Sequence, residues 1–252
     1  MKILSNLLTG LLIPLLLTAP CAAQDTGNES VHPDKDLRML VFTKTNGYRH
    51  QSIAKGVATL RELAQMEGIL LDHTEDSLQF NPETLSKYTL VVFFFTTGGV
   101  LCPEQEQAFR DFMEGGGNFM GIHAATDTEY DWPWYGRLVG AYFESHPEQQ
   151  QASLRVVNRD HPSTSPLPEL WSHFDEWYNF RDLQPGLNVL INLDESSYKG
   201  GTNGESHPIA WYHTKAGGRA FYTGLGHTDA AFDDPTFRKH LSGGMRYCLG
   251  ID

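Results

Sequence analysis

The sequence predicts an α/β domain, doubly wound, with a mostly parallel sheet and helices on both faces. Three observations carry that reading. Leu90-Val91-Val92-Phe93-Phe94-Phe95 is a continuous β-branched and aromatic run, the pattern of a strand covered on both faces, as parallel strands are. Residues 52–66 put Ile53, Val57, Leu60, Leu63 and Ala64 at helical spacing, with Gly68 just beyond. That is an amphipathic helix with its stop signal. The glycine cluster Gly115-Gly116-Gly117 gives way to Asn118-Phe119-Met120 and then to Gly121-Ile122-His123-Ala124-Ala125. A small-residue turn straight after a buried strand presents one side chain at the carboxyl end of a sheet, where α/β proteins bind ligands. In hydrolases built this way the presented residue is a Ser or Cys nucleophile. Here it is an imidazole, which moves protons or holds a metal but is a poor acyl-transfer nucleophile.

The remaining elements follow in order. Arg38-Met39-Leu40-Val41-Phe42-Thr43 reads as a buried first strand that ends in the loop Lys44-Thr45-Asn46-Gly47. Ile69-Leu70-Leu71-Asp72-His73 is the next strand. Pro103 opens a helix with Glu104 and Glu106 near its positive end, and Ala108, Phe109, Phe112 and Met113 line one face. Strand, helix, strand, helix, strand is the doubly wound signature. The second half is less regular. Residues 153–157 and 189–193 read as strands. Residues 208–212 and 219–223 read as a pair joined by Lys215-Ala216-Gly217-Gly218. A closing helix is expected over 237–249. Residues 127–140 and 161–181 are connections rich in Trp, Tyr and His, a composition that fits a ligand pocket.

The first 23 residues read as a signal peptide. Lys2 supplies the positive end, residues 7–17 are the apolar core, and Cys21-Ala22-Ala23 offers small residues for cleavage before Gln24. Pro20 before Cys21 disfavours a lipid-anchored form. The expected localisation is therefore periplasmic or secreted, without a transmembrane anchor, since the apolar run is too short to span a bilayer. Residues 24–35 are polar and read as a disordered lead-in, leaving 36–252 as one domain. Of the 252 residues 12% are aromatic, which excludes a disordered class. The net charge of -12 argues against nucleic acid as a partner, because phosphate binding needs a basic face. Cys102 and Cys248 remain after processing, and two cysteines do not make a disulfide framework. Phosphate-loop, dinucleotide, Cys-x-x-Cys and HExxH spacings do not occur, and no Gly-x-Ser-x-Gly supports a serine hydrolase.

The histidines and carboxylates at predicted strand ends are the candidate chemistry. His123 sits at the elbow. His227 follows a late strand in Gly224-Leu225-Gly226-His227-Thr228-Asp229, and His50 closes the loop after the first strand. All three are expected to converge on one pocket at the carboxyl edge of the sheet. Asp175-Glu176-Trp177-Tyr178 sets two acids beside aromatics, a setting that raises a carboxyl pKa toward useful acid–base values. Glu144-Ser145-His146-Pro147-Glu148 brings acid and imidazole together on what reads equally as a solvated turn. His207 and Asp160-His161-Pro162 read as structural, and so do His32, His73, His173, His213 and His240. The candidate roles are catalytic for His123, His227 and Glu176. His50, Tyr178, Trp177, Asp229 and His146 are candidates for substrate binding. His123 and His227 are also candidate ligands of a divalent metal such as zinc or manganese, which imidazoles and carboxylates converging in space suit.

The chain resembles the ThuA-like (trehalose utilisation) proteins, a branch of the class I glutamine amidotransferase-like superfold. The resemblance rests on Phe42-Thr43-Lys44-Thr45-Asn46-Gly47-Tyr48-Arg49-His50, Gly121-Ile122-His123-Ala124-Ala125, Asp160-His161-Pro162, Asp175-Glu176-Trp177-Tyr178 and Gly224-Leu225-Gly226-His227. In that superfold the elbow carries a catalytic Cys and its partner His follows a late strand; the matching positions here are His123 and His227. With no cysteine at the elbow, amidotransferase activity is not expected. The resemblance implies carbohydrate metabolism on oxidised (3-keto) sugars or glycosides, in functional partnership with a sugar dehydrogenase.

Three functions compete. The first is an enzyme that abstracts a proton beside the C3 ketone, leading to isomerisation, epimerisation or elimination. Its base would be His123 or His227, with Glu176 as a second acid–base group and Tyr178 as a hydroxyl donor. The second is a carbohydrate-binding module without turnover, in which Trp132, Trp134, Trp177 and Tyr178 stack on sugar faces. The third is a metal-dependent hydrolase of unoxidised sugars. Titratable groups gathered in one crevice favour an enzyme, and aromatics arrayed on an open face favour the module.

Overall fold

The computed structural model describes residues 37–251; the expected leader, its cleavage point near Gln24 and the lead-in lie outside them. The first half is built as the apolar periodicity predicts. Strand β1 (Arg38–Phe42), helix α1 (Ile53–Met66), β2 (Leu70–Thr74), a short helix α2 (Pro82–Leu85), β3 (Leu90–Phe94), α3 (Pro103–Glu114) and β4 (Asn118–Ile122) follow in order. Every residue of β3 is buried. Its neighbours β1 and β4 both run parallel to it, and β2 lies parallel on the far side of β1.

Successive residues of β3 face opposite sides of the sheet, and their partners show that both sides are covered. The Phe93 ring stacks on Phe109 of α3 at 5.2 Å between centroids. It also meets Tyr135 of α4 (Pro133–Val139) at 5.3 Å. Phe94 points the other way, toward α1, where a Cβ on Gly56 would collide with its ring. On that same face α5 (Pro235–Leu249) packs beside α1 and against the sheet. Each face therefore buries several aromatic rings, at 1.5–3 kcal/mol for a fully buried side chain as an order of magnitude.

The second half departs from a purely parallel sheet. It contains β5 (Tyr142–Ser145), β6 (Gln150–Val156), β7 (Leu170–Asp175), β8 (Asn179–Arg181), β9 (Asn188–Asp194), β10 (Pro208–Ala216) and β11 (Gly218–Thr223). Strand β11 inserts parallel to β4, and β10 returns antiparallel to it across Ala216 and Gly218. Then β9, β6 and β7 extend the sheet antiparallel, giving the order β2-β1-β3-β4-β11-β10-β9-β6-β7. Strands β5 and β8 form a separate two-stranded ribbon. Burial in β7 alternates strictly, the mark of a strand with one solvent face. Cys102 is exposed and Cys248 buried, and both are free thiols. Among the described residues no helix is long and apolar enough to cross a membrane.

Candidate functional site

His50, His123 and His227 each follow a strand of the parallel half, β1, β4 and β11, at its carboxyl edge. Glu176 follows β7. The structure brings these four together: one donor atom from each lies within 4.8 Å of every other.

The elbow at His123 is made by the backbone. Its φ is 49°, a left-handed conformation that non-glycine residues adopt rarely and His more readily than most. Gly121 lets the turn close. A Cβ there would come 3.1 Å from both Ala125 Cβ and Tyr222 Cδ2. The turn is tied down when the Tyr222 hydroxyl donates to the His123 carbonyl at 2.8 Å. The imidazole is then aimed by a second bond, since Nδ1 lies 2.7 Å from the carbonyl of Gly224. A carbonyl only accepts, so Nδ1 carries the proton and Nε2 of the neutral ring keeps its lone pair. That Nε2 faces His227 Nδ1 at 3.1 Å and Glu176 Oε2 at 3.4 Å.

Glu176 Oε2 is also 2.9 Å from His227 Nδ1, while its Oε1 is 3.2 Å from His146 Nδ1. Burial pushes the Glu176 carboxyl up. Its bonds to His123 and His227, and their charge when protonated, outweigh this and hold it below the usual carboxylate range. His50 is the opposite case. Burial, reinforced by the neighbouring His123 and His227, lowers it to about 2, so its ring is neutral. Its Nδ1 is buried without a hydrogen-bond partner. The ring is wedged between Phe95, at 4.8 Å, and the rings of His123 and His227, each at 5.0 Å.

These observations fit a divalent cation. His123 Nε2, Glu176 Oε2 and His227 Nδ1 are mutual neighbours at 2.9–3.4 Å, and His227 has one Nδ1 proton at most to share. Two electron-pair donors facing each other at 3.4 Å need positive charge between them, from protons on the imidazoles or from a metal. Around a tetrahedral zinc ion with bonds of about 2.1 Å, donors stand about 3.4 Å apart. His50 offers a further imidazole nitrogen within 4.8 Å of the other three donors. Imidazole and carboxylate together suit zinc, manganese or iron.

The other predicted residues are placed as follows. Tyr178 packs its ring 4.2 Å from that of His123, and burial raises its phenol well above the ordinary range. His146 stands over Glu176 with its side chain 43% exposed, at the mouth of the cluster. Trp177 is fully buried and its indole donates to the Gln150 carbonyl at 2.8 Å; it offers no face to a ligand. Trp132 is also buried, its ring stacked on that of Trp134. Asp229 is exposed at the start of a 3-10 turn, residues Asp229–Asp233, and is not one of the four clustered donors. Sequence reasoning gave no role to Tyr48, which is 62% exposed with its ring 4.8 Å from His50. It also gave none to Asp127, where burial raises the carboxyl and a 2.6 Å bond from Tyr130 counters it. A tyrosine two residues before a strand-end histidine, and an acid four residues after the elbow, were the available signals.

Comparison with known proteins agrees with this architecture. A family model described as ThuA, trehalose utilisation, matches residues 38–248. A ThuA-like protein from Bacteroides uniformis superposes with a TM-score of 0.73 at 24% identity, covering 84% of this chain and 91% of that one. A second, from Parabacteroides merdae, gives 0.70 at 21% identity, covering 86% and 91%. A β-galactosidase from Bacillus circulans shares the fold over 86% of this chain and 31% of its own, with a TM-score of 0.57 and 13% identity. No curated protein matches the sequence.

Proposed function

Because the chain belongs to the ThuA (trehalose utilisation) family, we propose that it is a metal-dependent enzyme acting on 3-keto sugars or their glycosides, moving a proton at the carbon beside the ketone. One observation carries the reading: His50, His123, Glu176 and His227 converge within 4.8 Å, with a neutral, unpartnered imidazole among them. His50, His123 and His227 would hold the ion, with Glu176 as a further donor and a position left for the ketone oxygen. A divalent ion there would polarise the ketone and stabilise the negative charge that develops as the neighbouring C–H loses its proton.

In this reading the proton falls to a group outside the donor set. His146 is the part-exposed imidazole of the site, linked to Glu176 Oε1 at 3.2 Å, and an imidazole nitrogen within reach of substrate can take up and return a proton. Tyr178 keeps its phenolic proton, since burial raises it, and serves as a hydroxyl donor to a sugar oxygen. A ketone at C3 presupposes an oxidation, so a sugar dehydrogenase is the expected functional partner. The apolar leader supports action outside the cytoplasm. The binding-module alternative is weakened because the indoles of Trp132 and Trp177 are buried.

The test is elemental analysis of purified protein, followed by assays with and without chelator on 3-keto glycosides and their unoxidised parents in deuterated water. The proposal expects bound divalent metal, deuterium incorporation beside the ketone, and loss of both on chelation. Turnover of the unoxidised sugars instead establishes the hydrolase. Binding of sugar with neither exchange nor turnover sinks the enzymatic reading.

A further inference from the structure

The centre is assembled from four segments remote in sequence, and one buried carboxylate ties two of them together, the turn at Glu176 and the segment 224–227. Asp175, the last residue of β7, is fully buried. Its Oδ1 accepts the backbone N–H of Glu176 at 3.0 Å. Its Oδ2 accepts the backbone N–H of Gly226 at 2.7 Å. The segment it grips carries His227 and orients His123, since Gly224 supplies the carbonyl bonded to His123 Nδ1 and His227 follows Gly226 directly. Gly226 holds φ at 112°, a conformation that keeps its amide on Asp175 and excludes other residues. Behind Asp175 stands His173, with Nε2 3.5 Å from Oδ2 and Nδ1 3.1 Å from Asp234 Oδ2. Asp234 in turn caps α5 through the Thr236 amide at 2.7 Å.

We propose that Asp175, backed by His173, is the positioning residue that sets the separation of Glu176 from the Gly224–His227 segment, and so the geometry of the metal centre. This rests on the metal reading above. A buried carboxyl group is costly unless its oxygens are hydrogen-bonded. Two backbone amides, one on each oxygen, meet that need at Asp175. Asparagine has the same shape but one acceptor oxygen. In Asp175→Asn either Glu176 or Gly226 faces an amide NH2 instead of an acceptor, and the tie to one side opens. Partners of this kind behind metal ligands typically change metal affinity by about 10–100-fold when removed.

The experiment uses the full chain in two states. In metal-free protein, hydrogen exchange at Glu176 and across residues 224–228 is compared between wild type and Asp175→Asn. Exchange at Glu176 or at Gly226 should quicken by about tenfold or more, with β3 unchanged. In protein titrated with cobalt(II) alone, the visible absorption reports the ligand field. Asp175→Asn should shift that spectrum and weaken the cobalt Kd by about 10–100-fold, whereas a merely structural role would lower the melting temperature and leave the spectrum as it is. Unchanged exchange at both Glu176 and Gly226, or a wild-type spectrum and Kd in the variant, overturns the proposal. If wild type binds no cobalt while exchange at Glu176 or Gly226 still quickens in the variant, the tie stands and the metal reading falls. Should Asp175→Asn not fold, His173→Phe keeps the ring packing and removes both nitrogens. A Kd weakened a few-fold with a shifted spectrum then supports the proposal, and no change in either overturns it.

Discussion

The parallel and antiparallel halves of the sheet hold their shares of the centre in different ways. In β1, β3 and β4 nearly every residue is buried, so these strands are clamped from both faces. His50 and His123 leave that clamped region at the same edge, as His227 does from β11. Their positions follow from strand register. In β6 and β7 burial alternates, one face meets water, and β7 is the outermost strand. Glu176 leaves that looser region, and its place is fixed by hydrogen bonds through Asp175 rather than by packing. Three donors are thus set by the frame and one by a tie, which separates the rigidity of the fold from the adjustability of the site.

The largest effect expected of that contrast is on stability. Phe93→Ala removes a ring stacked on Phe109 and packed on Tyr135 and should cost about 3–5 kcal/mol in urea unfolding. Phe174 in β7 is 48% exposed, and Phe174→Ala should stay within about 0.5 kcal/mol. Similar losses from both would erase the distinction between the halves.

Next is the centre itself. His123→Ala should lower divalent-metal affinity and turnover by about a hundredfold or more, equivalent to about 2.7 kcal/mol. Its metal-free melting temperature should also fall, because the imidazole is fully buried against Phe95 and Tyr178 and bonded to the Gly224 carbonyl, so metal affinity and turnover are compared at a temperature where both proteins are folded. Glu176→Gln should be milder, retaining three imidazoles. Calorimetric titration with zinc that ranked the glutamine variant below the alanine variant would reverse the assignment of frame and tie.

The smallest is a pH effect on the frame. His240 of α5 is fully buried, donates from Nδ1 to the Ser163 carbonyl at 3.0 Å, and is lowered by burial to about 4. Unfolded, it titrates near 6.5. The unfolded chain therefore binds the extra proton between those values. The contribution of the neutral ring is complete above about pH 6.5 and falls as pH drops toward 4. At pH 5 the loss is about 2 kcal/mol. His161, also lowered by burial to about 4, adds in the same direction. Urea midpoints at pH 5, 6 and 7 should fall with pH in wild type and fall less in His240→Leu; equal slopes would remove His240 as the cause.

Much of the parallel half could be read from sequence because each of its strands is a compact apolar run and each helix has apolar spacing. β7, β5, β8 and α4 were not legible. Their aromatics and histidines fall in alternating or irregular patterns that also describe loops. Part of the antiparallel half was visible as a hairpin at 208–223, but its joining to β9, β6 and β7 depends on pairings that no local pattern records. At the site, glycine-flanked turns after strands pointed to His123 and His227, and the strand-end rule to His50. The partners that aim them are 101 residues away in the case of Gly224 and His123, and 51 for Gly226 and Asp175. Trp177 had the composition of a sugar platform, yet its indole N–H is engaged with Gln150, a long-range fit that composition cannot express.

The left-handed backbone at His123 also governs what evolution can try at that position. With φ at 49°, β-branched and bulky residues are strongly disfavoured, while Asn, Asp, His and Gly are accepted most easily. Three of those four carry a nitrogen or oxygen that a metal or a proton can use. Drift at the elbow is therefore channelled toward short polar side chains, and neighbouring sequences can exchange one donor for another there without first rebuilding the turn.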